Sequence, residues 1–139
     1  LEKSAAETFT ALDTLREAAK SDAELQRTVN DCEALSWLGR YYAAKIRGAC
    51  ALALFDTNCD KLELERSLHH LADALTHWKR YAAIRDAHYV PALYNRVGFV
   101  NVTALTEQVA ADLDIARDWK PGTLKDEGKS GGTEKGFRN

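Results

Sequence analysis

The chain has 139 residues, which suits one domain with a core of its own, and its formal charge of -2 supplies no field for nucleic acid or an anionic membrane. Neither partner is expected. Abundant Ala and Leu point to helices, because these side chains lose little freedom there, and no apolar run approaches the ~18 residues a membrane span needs.

Ser4-Ala5-Ala6-Glu7 and Ser21-Asp22-Ala23-Glu24 both have the capping-box form, in which the Ser oxygen accepts an orphan amide and the Glu returns to the cap's own N–H. Each predicts a helix start. Leu1, Ala5, Phe9, Leu12, Leu15 and Ala19 recur at intervals of three and four, which predicts a first amphipathic helix over about 4–20. A second helix is expected over about 22–55, with Leu25, Val29, Cys32, Leu35, Leu38, Tyr42, Ile46, Ala49 and Ala53 inward. Gly39 and Gly48 are expected to bend it, since each costs about 1 kcal/mol relative to Ala in a helix. The turn formers of "DTNCD", residues 56–60, end it.

A third helix follows over about 60–89, with Leu64, Leu68, Leu71, Leu75, Trp78, Ala82 and Tyr89 along one face. Pro91 cannot donate a helical hydrogen bond and pushes Val90 toward extended geometry, so the helix stops there. Residues 90–101 read as an irregular connection, with Tyr89 and Tyr94 tying it to the helices by burying their rings. Asn101 or Thr103 then caps a fourth helix over about 102–118, with Leu105, Val109, Leu113 and Ala116 inward. Asn101-Val102-Thr103 is also a formal glycosylation sequon, but it reads first as that cap. Past Trp119, residues 120–139 hold five of the eight glycines and read as a solvated, disordered tail or linker. The expected fold is therefore all-α, an antiparallel up-down bundle of about four helices over 1–119 with a long central hairpin.

The two long helices should be roughly 45–50 Å long and the outer two about half that. Short connections place both outer helices at the open end of the hairpin. The hairpin tip, with Leu52, Leu54, Phe55, Leu62 and Leu64, is then expected to protrude as an apolar contact surface. Its partner would be the remainder of a parent chain or another copy of the same chain. The lack of any Met, with Leu at position 1, points the same way, to a piece processed or excised from something larger.

No catalytic constellation emerges. His69, His70, His77 and His88 invite a metal reading, yet only His69 with Asp73 and Asp73 with His77 have ligand-like four-residue spacing, and no second helix offers Glu-x-x-His. No metal or cofactor is expected. Asp112 and Asp114 point to opposite sides of a helix, so they do not face each other as an acid–base pair, and Asp112 is expected to meet Arg85 or Lys79 or to face water. No Gly-x-Ser-x-Gly elbow, phosphate loop or HExxH motif occurs. Cys32, Cys50 and Cys59 read as small buried hydrophobes without a bridge. Trp78, Tyr81 and Tyr94 are the candidate ligand-facing aromatics, although rings at helical spacing usually pack in a core, which is the reading favoured for Trp78.

The stretch from Leu68 to Trp119, with "ALTHWKRY" at 74–81, "HYVPALYNRVG" at 88–98 and "VAADLDIARDW" at 109–119, resembles the helical region near the C-terminus of large bacterial carbohydrate-active, glycoside hydrolase-like enzymes. The resemblance implies a non-catalytic accessory domain that buttresses a catalytic barrel elsewhere, in a periplasmic or extracellular protein. It carries no catalytic residue onto this chain. The alternative is a stand-alone bundle that self-associates or binds a partner or small ligand through apolar and aromatic surface.

Overall fold

The computed structural model describes residues 1–90, 93–94 and 98–124. It is an all-α bundle of four packed helices: α1 (Glu2–Ala19), α2 (Ala23–Asn58), α3 (Lys61–His88) and α4 (Leu105–Arg117). Between α3 and α4, β1 (Leu93–Tyr94) pairs antiparallel with β2 (Gly98–Phe99), Leu93 opposite Phe99 and Tyr94 opposite Gly98. This short ladder occupies the connection expected to be irregular. The side chain of Tyr94 and the expected turn at Pro91 lie outside the described residues, as does most of the expected tail.

Both expected capping boxes are absent. α1 already begins at Glu2, which leaves Ser4 inside the helix, where its carbonyl accepts from Thr8 Oγ1. α2 is capped by Asp22, one residue after the expected Ser21. Asp22 Oδ1 accepts from the amides of Glu24 and Leu25, satisfying two of the orphan N–H groups of the first turn. The turn from α2 to α3 takes two residues. Cys59 adopts the left-handed conformation (φ 59°) and Asp60 caps α3 by accepting from Leu62 N. Before α4, Asn101 Oδ1 accepts from Ala104 N in the capping role expected of it, and Thr103 donates to Asp86 on α3.

The central hairpin packs through small residues. Tyr41 and Ala44 of α2 share a cluster with Ala74 and Trp78 of α3 and Val109 of α4. Further along, Ser67 Oγ donates to the Gly48 carbonyl at 2.8 Å, and a Cβ on Gly48 would sit 2.8 Å from Leu71 Cγ. Gly48 therefore permits close approach of the helices, whereas the sequence suggested a bend; α2 continues as one helix through both Gly39 and Gly48. α1 runs antiparallel to α2, with Leu12 and Ala19 packed near Val29 and with Glu2 paired to Arg47 at 2.5 Å. Trp37 joins three helices, its ring 4.8 Å from Phe9 of α1 and 5.6 Å from His77 of α3.

α2 buries a different stripe from the one expected. Val29 is buried as expected, but Leu35, Tyr42 and Ile46 are exposed, while Ala34, Ala44, Gly48, Ala51 and Phe55 are buried in their place. Ala44, Gly48 and Ala51 are inside, between the larger Tyr41 and Phe55, because small residues let α3 come close. Leu1 and Leu15 of α1 and Tyr89 of α3, all expected inward, are also exposed. Cys50 and Cys59 are exposed and Cys32 half-buried, all three free, so two are not the buried hydrophobes expected.

Candidate functional site

Tyr41, Trp78 and Tyr81 pack together in the core. Trp78 is buried, its ring 5.0 Å from Tyr41 and 5.4 Å from Tyr81, and its indole N–H donates to Thr106 Oγ1 at 3.1 Å. That bond satisfies the one polar atom such a ring must not bury alone. Trp78 is thereby removed from the ligand-facing set; Tyr81 is half-buried against it. Tyr89, at the end of α3, stays exposed beneath the Arg85 guanidinium, 4.1 Å from its ring centre.

The histidines are scattered along α3. His69 Nε2 lies 3.6 Å from Asp73, and His77 stacks on Trp37 instead of joining them. Among the described residues no three His, Cys, Asp or Glu side chains gather as a metal cluster. Asp112 meets neither Arg85 nor Lys79: it pairs with Lys45 of α2 at 2.8 Å. Partial burial pushes the Lys45 ammonium down, but its bonds to Asp112 and Tyr41 outweigh this and raise its pKa overall.

The hairpin tip is only partly bare. Phe55 is 7% exposed and so offers no contact surface, a correction to its expected role. Leu52 and Leu64 are half-buried, and Leu54 and Leu62 remain exposed. The chain leaving α4 reaches this end and is fastened to Asp56, a buried carboxylate in the last turn of α2. Asp56 Oδ1 accepts from Trp119 Nε1 at 2.7 Å and from Thr123 N at 2.9 Å, while Oδ2 accepts from Leu124 N at 3.1 Å. Gly122 N adds a bond to the Asp56 carbonyl at 3.0 Å. Desolvation pushes the Asp56 pKa up, but the indole and these amides outweigh it and hold the carboxyl below its ordinary value.

The Asp56 clamp is not among the features expected from the sequence, which places residues 120–124 in the tail. Two signals were present: Pro121-Gly122, a turn pair in which Gly122 supplies the positive φ of 81°, and an indole at Trp119 in need of an acceptor.

A larger feature lies on the side of α2 turned away from α3. Leu35, Gly39, Tyr42, Ile46, Ala49 and Ala53 recur at intervals of 4, 3, 4, 3 and 4. At ~100° per residue they form one stripe, roughly 160° around the helix from the residues packed on α3. Leu1, Ser4 and Thr8 of α1 line one side of this stripe beside Leu35 and Gly39, and Leu1 also lies beside Ile46. Gln108 and Asp112 of α4 line the other side beside Tyr42, and Ile115 continues that edge. Of the twelve exposed large apolar side chains among the described residues, five belong to this face: Leu1, Leu35, Tyr42, Ile46 and Ile115. Exposure reaches 65% at Leu35 and 55% at Ile46.

No protein-family model matches the chain, and comparisons with curated proteins and with solved structures returned no match.

Proposed function

We propose that this chain is a non-catalytic helical interaction domain whose working surface is the outer face of α2 with the adjoining edges of α1 and α4. The observation that carries the reading is the gathering of five of the twelve exposed large apolar side chains of the described residues on that one face. Single exposed hydrophobics are ordinary on a protein surface, whereas a contiguous patch larger than a few hundred Å² marks a contact site. Leu54 and Leu62 at the hairpin tip are a smaller contact within the same reading. The narrower form, an accessory domain of a larger carbohydrate-active protein, rests on the resemblance across 68–119 alone. The surface argument stands without it.

The test is the double variant Leu35→Glu, Ile46→Glu, measured in dilute solution. If the face exists for contact and not for folding, denaturant unfolding shifts by no more than about 0.5 kcal/mol per site, the usual surface effect. An environment-sensitive apolar dye then binds the parent protein but not the variant. A loss above about 2 kcal/mol, the scale of a core substitution, would mean the face is packed within its own chain and would end the proposal.

A further inference from the structure

We infer that the occupant of the outer face of α2 is a second copy of the same chain, docked antiparallel about a two-fold axis near Ala44; this rests on the interaction-domain reading above. The stripe alternates steps of four and three residues, as the positions of a coiled-coil seam do. A two-fold contact must be complementary to itself, because the same patch supplies both sides. In an antiparallel register centred at 44, Leu35 of one copy falls opposite Ala53 of the other, Gly39 opposite Ala49, and Tyr42 opposite Ile46. Leu35 thus has a small residue before it, and the Gly39–Ala49 pair lets the two backbones approach between the larger ones. The open space around Gly39, where an added Cβ would meet nothing within 4 Å, is the hole such packing fills.

The helix lengths agree with this register. α1 has 18 residues against 36 in α2, and its first residues end beside Ile46 and Arg47. The flank of α2 beyond α1 is consequently bare, with Cys50 and Leu54 exposed. An antiparallel copy brings the α1-bearing half of its own α2 to this bare half. The stripe from Leu35 to Ala53 is about 27 Å long, and with α4 beside it and α1 along about two thirds of it the face averages about 27 Å in width. That makes about 700 Å², close to the ~800 Å² each partner buries in a stable interface of standard size.

Charge complementation with two single variants, Tyr42→Lys and Ile46→Glu, tests both the occupant and the register by sedimentation. Both sites are exposed, so each variant keeps its helices, which circular dichroism checks. The parent chain is expected to sediment as a dimer, and each single variant alone to show a dissociation constant at least about 10-fold higher. An equimolar mixture should recover the dimer, since Lys at 42 then faces Glu at 46 while the other Tyr–Ile pair stays native. A parallel pairing sets 42 against 42 and 46 against 46, so absence of rescue overturns the register. A parent chain that stays monomeric up to about 1 mM overturns the second copy outright. In that case an unaltered stability of the Leu35→Glu, Ile46→Glu protein, with loss of dye binding, still upholds the interaction reading for another partner.

Discussion

His77 is the residue at which the balance of burial and charge is most exposed to experiment. It projects from α3 toward Trp37 of α2, and its Nδ1 is buried with no hydrogen-bond partner among the described residues. Burial lowers its pKa from the ordinary 6.5, the nearby Arg40 guanidinium lowers it further, and Asp73 and Glu2 offset only part. A depressed folded value means the unfolded chain takes up the proton first. The stability linked to His77 is fully present above about pH 6.5 and is lost as pH falls through the lower folded value. Urea midpoints at about pH 7 and about pH 5 should therefore fall further in the parent protein than in His77→Gln. An equal fall in both would assign the acid sensitivity to other groups.

At the scale of one element, the two glycines of α2 have opposite meanings. Gly39 faces open space within its own chain, so at dilutions where the chain is a monomer Gly39→Ala should gain up to about 1 kcal/mol of helix propensity. Gly48 lies against Ser67 and Leu71, where an added Cβ would come within 2.8 Å of a Leu71 carbon. Overpacking of that kind costs about 1–3 kcal/mol, more than the same propensity gain returns. Gly48→Ala is expected to lose up to about 2 kcal/mol on balance, read as a lower denaturant midpoint at unchanged slope. A Gly48→Ala protein as stable as Gly39→Ala would show that the helices do not need the glycine to meet. The sequence carries both glycines alike; only the neighbour across α3 separates them.

For the molecule as a whole, Asp56 ties the chain leaving α4 to the tip of the central hairpin. α4 covers the flank of the central hairpin, and the Asp56 bonds to Trp119 and residues 122–124 hold its exit against the tip. Asp56→Ala should speed hydrogen exchange at the amides of Thr123 and Leu124 while leaving α1 protected as before. Exchange unchanged at those amides would mean the turn holds itself. Because the folded carboxyl lies below its ordinary value, the clamp persists in mild acid and is lost as pH falls through that lower folded value.

The sequence by itself determined the number and order of the helices, the breaks near 20, 59 and 90, and the inward faces of α3 and α4. Periodicity, caps and Pro91 act locally, and α3 and α4 each have a single apolar face. α2 has two. Its large stripe, through Leu35, Tyr42 and Ile46, and its small stripe, where Ala44, Gly48 and Ala51 separate Tyr41 from Phe55, are equally periodic, and the large one is the natural expectation for the core. Tertiary packing decided otherwise, because close approach at Gly48, Ala44 and Ala74 favours the small stripe against α3. The large stripe was thereby left facing outward as the candidate contact surface, and Asp56, an ordinary turn residue in the sequence, became a buried clamp only once α4 had carried Trp119 to it.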